Sequence, residues 1–379
     1  MKILMVNYEF PPIGGGGGQA HQNLLREYAK MKGLEVDVLT SGLGQGLQRE
    51  EMAENITIYK VGIRKNNLHY WRKSEVMIWL YKARREYDTL IQNNQYDLVH
   101  AFFGFPSGWL CYRSRKQLPY IISLRGSDVP GYNERLGLDY FLLAGLFRRI
   151  WRGASFLVAN SRGLKELAQQ FMPDLNIQVI PNGINTNTFY PAENFELTKP
   201  LKILTVGRLI RRKRIELLIG AIAELNTSGL DVVLSIAGEG NLMEELQTLA
   251  KNLGIAERVY FLGNVSSDKM PEVYRHHHIF VMASMHEGMS NAMLEAMASG
   301  LPIITSPCEG VEELIDDNGI IIRPPMKEAF AEAIGKLVQD KNARGKMAAA
   351  ACQKAETFTW KAAAAQYLPS YNSLLKRNR

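Results

Sequence analysis

Cysteine is scarce in this chain of 379 residues: there are three, Cys111, Cys308 and Cys352. An odd number at those spacings fits neither a disulfide framework nor a zinc site, so the thiols read as reduced and structural. Long apolar runs are missing as well, since no stretch approaches the roughly 20 apolar residues needed to span a bilayer. The opening segment MKILMVNYEFPP carries one lysine, a short apolar run and two prolines. That pattern fails as a secretory leader and gives the expectation of a cytoplasmic chain. No Asp-x-Asp occurs anywhere, which argues against a diphosphate clamped through a metal. His276, His277 and His278 lack a companion Cys or spaced carboxylates and read as structural, so no metal site is assigned.

What is present describes a folded globular protein. Hydrophobic residues make up 46% and charged residues 22%, and the length exceeds what one core usually sustains, so two domains are expected. The formal charge is +7, and all of the excess lies early: residues 1–192 hold 23 Lys+Arg against 16 Asp+Glu, whereas 193–379 hold 22 of each. A basic half attracts anionic partners, and charge alone does not choose among acidic lipids, phosphorylated acceptors and nucleic acid; a solvated basic surface is the plainer alternative.

Short apolar runs alternate with helical patterns along the chain. Runs at 2–7, 35–40, 56–61, 97–102, 120–124 and 156–159 are interleaved with helical segments over 19–32 and 74–93. Such alternation indicates parallel sheets covered on both faces. At 190–200 the sequence lapses into YPAENFELTKP, and a new strand, KILTVG, starts at 202. The second half repeats the pattern with runs at 232–238, 259–263, 279–283 and 302–305 and helices from 242 and over 291–299. The expected architecture is α/β, with two doubly wound Rossmann-like lobes, 1–192 and 193–359, facing across a cleft. A C-terminal helix at 360–379 would complete the first. Ligands of such sheets bind at the carboxyl ends of the strands.

The most informative segment is HEGMSNAMLEAMASG at 286–300. Glu287 falls in a loop and Glu295 in the first turns of a helix whose start carries the capping residues Ser290 and Asn291. A helix N-terminus favours a phosphate by about 0.3–1 kcal/mol when exposed. The two glutamates are separated by roughly 12 Å at about 1.5 Å per residue, comparable to a nucleoside diphosphate sugar. Alternatively, they merely complement the helix dipole and face solvent. In VGRLIRRK at 206–213, Arg208 offers a planar fork for a diphosphate and Lys213 a mobile point charge. Arg211, Arg212 and Arg214 read as a solvated basic turn. The glycine run Gly14 to Gly18 follows the first strand and precedes a helix; it serves as a flexible spacer or a cradle for a phosphate or sugar.

The string EGMSNAMLEAMASGLPIITS closely resembles the donor-site signature of family-four retaining glycosyltransferases of the GT-B fold, and VGRLIRRK resembles that family's G-R-L-x-x-x-K. The resemblance implies that Glu287 contacts donor sugar hydroxyls near the reacting carbon and that Glu295 takes the ribose hydroxyls. The backbone of Gly288, Met289, Ser290 and Asn291 would hold sugar and phosphates. Arg208 and Lys213 would stabilise the leaving diphosphate in place of a metal. Gly16 and Gly17, with Gly18 beside them, match the family's Gly-Gly, which touches the diphosphate and the acceptor. Gly238 and Gly263 match glycines at strand ends near the nucleotide. The loop SLRGSDVPGYNER at 123–135 resembles the acceptor-side loop, but Arg125 stands where the family often has a histidine. Arg125 would bind an acidic acceptor or the donor's distal hydroxyls, with Asp128 orienting it through a salt bridge; the alternative is a strand-end ion pair. His100 is the other acceptor-side candidate, or else a core residue. Asn182 to Asn185 match the family's N-G-V-D, or an ordinary Asn-Gly turn.

The implied reaction transfers a hexose, glucose by preference, from a UDP-sugar co-substrate to a saccharide or lipid-linked acceptor in polysaccharide synthesis, with no further cofactor. Nucleic acid is not among the implied partners. An anionic membrane surface is, through the stretch 64–85, which holds seven basic residues and one acid around Trp71 and Trp79. Its apolar face, Val76, Trp79, Leu80, Ala83 and Tyr87, recurs at helical spacing and reads as core. The expected location is the cytoplasm, or, if that contact is made, peripherally the inner face of the plasma membrane. The rival readings are a sugar-nucleotide epimerase of the same fold and an inactive nucleotide-sugar-binding subunit.

Overall fold

The computed structural model describes residues 1–68, 70–192 and 199–377. The middle of the polar linker, 193–198, and residues 378–379 of the basic tip lie outside the described residues. The chain forms two compact units, Met1–Asn182 with Trp360–Arg379, and Gly183–Thr359.

The first unit is built on strands β1 (Lys2–Asn7), β2 (Glu35–Leu43), β3 (Leu47–Ala53), β4 (Ile56–Ile63), β5 (Leu98–Phe102), β6 (Tyr120–Leu124), β7 (Phe156–Ala159) and β8 (Ile177–Val179). They form one sheet in the order β3-β4-β2-β1-β5-β6-β7-β8. All neighbours run parallel except β3, which pairs antiparallel with β4. The helices are α1 (Gly16–Tyr28), α2 (Lys73–Asn93), α3 (Ser107–Arg113), α4 (Gly137–Gly153) and α5 (Arg162–Phe171). The inner strands β5 and β6 are buried along their whole length because helices cover both faces, and they are apolar but for His100 and Ser123. Leu98, Val99, Ala101, Phe102, Ile121, Ile122 and Leu124 are wholly buried.

The second unit carries β9 (Leu201–Val206), β10 (Val232–Ala237), β11 (Val259–Gly263), β12 (Ile279–Met282), β13 (Ile303–Thr305) and β14 (Gly319–Ile321), ordered β11-β10-β9-β12-β13-β14 and parallel throughout. Its helices are α6 (Ile215–Thr227), α7 (Met243–Asn252), α8 (Met270–Arg275), α9 (Asn291–Ala298), α10 (Val311–Leu314), α11 (Lys327–Gln339) and α12 (Lys341–Glu356). In each unit the strand order reverses direction once, between β1 and β5 and between β9 and β12. Those reversals open crevices at the carboxyl ends of the strands.

The division falls before Gly183, not at 193, because the intervening segment is tied to the second unit: Ile184 bridges Thr359 and its N–H donates to the Phe358 carbonyl at 2.8 Å. The last helix, α13 (Trp360–Arg377), belongs to the first unit. It is anchored by tyrosines: the Tyr371 hydroxyl meets that of Tyr28 at 2.9 Å and His100 Nδ1 at 2.7 Å, while Tyr367 meets Ser123 Oγ at 2.8 Å. With this helix counted in, the first unit holds 27 Lys+Arg against 16 Asp+Glu, a formal +11, and the second 18 against 22, a formal −4. Among the described residues no helix is long and apolar enough to cross a membrane.

Candidate active site

In the second unit the chain leaves β9 through Gly207 and Arg208 into a short 3-10 turn, Arg211–Lys213, and leaves β12 through Ala283 to Glu287. These two exits flank the reversal of strand order. Arg214 locks them together. It adopts a left-handed conformation at the start of α6, with φ 47°, and its Nε donates to the Ala283 carbonyl at 2.7 Å. The Met285 N–H in turn donates to the Arg212 carbonyl at 2.9 Å. Arg214 is therefore half-buried and structural, not part of a solvated turn.

That clamp delivers Lys213 Nζ to Glu287 Oε1 as a direct ion pair in which each side chain is only 13% exposed. Ser284 Oγ donates to the same carboxylate oxygen at 2.9 Å. Burial alone would push the Glu287 carboxyl up. Lys213, by charge and by hydrogen bond, with Arg212 and Ser284, outweighs it and holds the group below the usual carboxylate range. Glu309, in the loop after β13, accepts the Glu287 N–H at 3.0 Å and contacts His286 Nδ1 at 2.8 Å.

Glu295 sits on α9, whose start is capped by Ser290 Oγ accepting the Met293 N–H at 3.3 Å. Burial pushes its carboxyl up to about 7, partly offset by the Tyr274 hydroxyl, which donates to it at 2.9 Å. The two glutamates of one motif are thus shifted in opposite directions, Glu287 down beside its cation and Glu295 up by burial. The Met289 side chain joins the core cluster with Met282 and Met293, so only its main chain is placed to serve a ligand. Gly207, Gly238 and Gly263 close the ends of three adjacent strands, with Gly207 N–H donating to the Ala237 carbonyl at 2.9 Å and Gly238 N–H to that of Gly263 at 2.7 Å. A Cβ on Gly238, at φ 140°, would lie 2.0 Å from the Gly207 carbonyl oxygen. The three-histidine tract is held by the backbone: His276 and His277 contact the Glu272 and Val273 carbonyls, and His278 Nδ1 accepts the Lys202 N–H at 3.0 Å.

In the first unit the glycine run starts α1, and a Cβ on Gly17 would meet the Phe103 ring at 2.6 Å. Gly18 is buried against the Glu9 backbone, whereas Gly16 is exposed. Two acceptor-side assignments are corrected here. His100 is fully buried, with Nδ1 on Tyr371 and Nε2 on Ser123 Oγ at 2.8 Å, so both ring nitrogens are used inside the fold. Asp128 does not pair with the Arg125 guanidinium. It is buried, and its oxygens accept the N–H groups of Gly104, Arg125 and Gly126 at 2.6, 2.9 and 3.0 Å, which shapes the loop. Arg125 itself lies over the Phe102 ring at 4.3 Å and donates to Asn182 Oδ1 at 2.9 Å and to the Tyr367 hydroxyl at 3.3 Å.

Sequence patterns did not single out Ser284, Glu309, Tyr274 or His21. His21 is buried on α1, stacks on Phe102 at 4.3 Å and contacts Asn7 at 3.2 Å. Burial, helped by Arg125, pulls its pKa down to about 3, so the ring is neutral. The only signal for Glu309 and Ser284 was position, each lying just past a strand of the second unit.

Comparison with known proteins agrees with this layout. Residues 187–354 match the family described as Glycosyl transferases group 1, and residues 14–188 match Glycosyltransferase Family 4. The lipopolysaccharide core biosynthesis glycosyltransferase LpsE of Rhizobium meliloti is 30% identical over 251 residues, covering 62% of this chain and 71% of that protein. Among solved structures, the sucrose-phosphate synthase of Thermosynechococcus elongatus superposes with a TM-score of 0.84 at 20% identity, covering all of both chains. HepE of Anabaena, in complex with UDP and glucose, superposes with a TM-score of 0.75 at 19% identity, covering 98% of this chain and 100% of its own.

Proposed function

Because the chain belongs to the group 1 glycosyl transferases and has the GT-B fold, we propose that it moves a hexose, glucose by preference, from a UDP-sugar to an acceptor hydroxyl, with retention at the anomeric carbon. The acceptor is a saccharide or a lipid-linked saccharide in polysaccharide synthesis, presented at the inner face of the plasma membrane. The observation that carries this reading is the Lys213–Glu287 pair at the reversal of strand order in the second unit. The donor takes support from HepE, solved with UDP and glucose, and the acceptor from LpsE, named for lipopolysaccharide core biosynthesis.

In this reading the acceptor oxygen bonds to the anomeric carbon as the bond to the diphosphate breaks, and the acceptor proton passes to the departing phosphate. Negative charge grows on that phosphate. Lys213, fixed in place by Glu287, and Arg208, just past the end of β9, would be preset cations for this charge, which is where electrostatic catalysis is strongest. Ionised Glu287 accepts from sugar hydroxyls, while Glu295, titrating near neutrality, exchanges hydrogen bonds with the ribose diol. The start of α9 adds its main-chain N–H groups.

The test is product analysis. Incubation with UDP-glucose and a panel of saccharide acceptors in excess EDTA should yield an α-linked product by proton NMR. A β-linked product, or transfer restored only by adding a divalent metal, would contradict the retaining, metal-independent form of the proposal.

A further inference from the structure

Large apolar side chains are exposed on the first unit in an order shared by two helices. On α2, Met77, Ile78 and Tyr81 face outward, Tyr81 at 82% exposure; on α4, Leu138, Phe141 and Leu142 do so, Phe141 at 79%. The α4 trio follows the i, i+3, i+4 spacing and the α2 trio the i, i+1, i+4 spacing, each within a single helix face. The first turns of the two helices are joined by Lys73 Nζ and Asp139 at 2.7 Å, and Arg135 of the turn before α4 lies over the ring of Tyr70, just ahead of α2, at 4.8 Å. On each helix an exposed arginine pair follows the apolar turn, Arg84 and Arg85 on α2, Arg148 and Arg149 on α4, roughly one to two turns further along. The core face of α2 is used separately, by Trp79, Leu80, Ala83 and Tyr87. Lys65, one of the cations of the 64–85 stretch, is likewise internal, its side chain enclosed between Trp71 at 3.9 Å and Glu75 at 2.9 Å.

We propose that the outward faces of α2 and α4 form one docking surface for an anionic lipid bilayer. Their apolar side chains would enter the acyl boundary, and the arginine pairs would meet lipid phosphates. Exposed apolar turns continued by arginines on the same helix face are what an interfacial helix presents to a membrane. The charge division favours lipid over a second copy of the chain, since the surface belongs to the unit of formal charge +11 and pairing two such units would set like charges together. The inference deepens the membrane placement in the proposed function. It is read by vesicle binding without substrate, so its failure and that of the transfer reading are separate results.

The experiment is flotation of the full chain with vesicles of equal parts phosphatidylcholine and phosphatidylglycerol, and with phosphatidylcholine alone, at low and at physiological salt. The intact protein should float with the anionic vesicles only. Phe141→Ser/Leu142→Ser should lower its partition coefficient by roughly tenfold or more, with an unchanged thermal melt. Tyr81→Ser gives the same reading from the other helix. No flotation at low salt overturns the proposal, as does binding that both variants leave untouched, which would be attraction by charge alone. A dimer in sedimentation that Phe141→Ser/Leu142→Ser dissociates overturns it in favour of a second copy.

Discussion

Lys213 and Glu287 come from the exits of two neighbouring strands, 74 residues apart in the chain, and meet as an ion pair shielded from solvent. The lysine holds the buried Glu287 carboxyl below its ordinary range. Removing Lys213 leaves a carboxylate that burial disfavours, so Lys213→Met should cost about 3 kcal/mol of stability, the low end for breaking a buried pair. The double variant Lys213→Met/Glu287→Gln should regain most of that stability in thermal melts. It should not regain nucleotide-sugar turnover, which falls by about 10²-fold or more when a preset charge is lost.

The two glutamates of the motif should show opposite pH behaviour. Glu295, raised to about 7, binds a proton more tightly folded than unfolded. Its contribution to stability is therefore complete below pH 4.5 and is lost as pH rises through 7, on the order of 3 kcal/mol in all. Glu295→Gln should flatten the fall in melting temperature between pH 5 and 8, read by calorimetry at about half-unit steps. Glu287 lies below its ordinary value, so its contribution is present above the ordinary carboxylate range and is lost only as pH falls through its lowered folded pKa. Glu287→Gln should leave the neutral-pH slope in place.

Glu309 touches the Glu287 N–H and His286, which makes it a positioning residue. Glu309→Ala should lower kcat by about tenfold through misplacement of Glu287 while the thermal melt moves little. Glu309→Gln, which keeps an acceptor for the N–H, should recover part of kcat. Equal loss in both variants would mean that the carboxylate charge, not the hydrogen bond, is what matters.

Backbone contact at the strand ends gives a contrast between two glycines. Gly238→Ala would place a methyl 2.0 Å from the Gly207 carbonyl oxygen at φ 140°, so it should destabilise the second unit by several kcal/mol, of the order seen when strain and overpacking combine. Gly145, inside α4, has nothing within 4 Å of a built Cβ. Gly145→Ala should raise stability by about 0.4–1 kcal/mol, seen as a higher denaturant midpoint at unchanged slope.

The doubly wound architecture was legible because buried parallel strands are nearly pure apolar runs; 120–124 and 156–159 coincide with β6 and β7, and 259–263 with β11, an apolar edge strand that is half exposed. The strand β3 was not legible. LQREEMA is polar on both faces and sits at the sheet edge, held by its hairpin with β4 and by no burial pattern. The motif at 286–300 and Lys213 could be read because their chemistry lies in local strings. Glu309 and Ser284 could not, since what places them is the adjacency of β12 and β13, a long-range fact. His100 and Asp128 misled for a related reason: a polar residue at a strand end looks like a site residue until its partners, Tyr371 on a helix 271 residues away and the N–H of Gly104, are seen to be internal.

The most direct measurement is nucleotide release by the purified protein from a panel of nucleotide sugars, run beside Glu287→Ala and Lys213→Ala. One UDP-sugar should release nucleotide slowly without acceptor and faster with one, and both variants should lose this turnover while remaining folded. If no nucleotide sugar is bound or turned over, or if Glu287→Ala releases nucleotide at the intact rate, the paired residues are not the donor site.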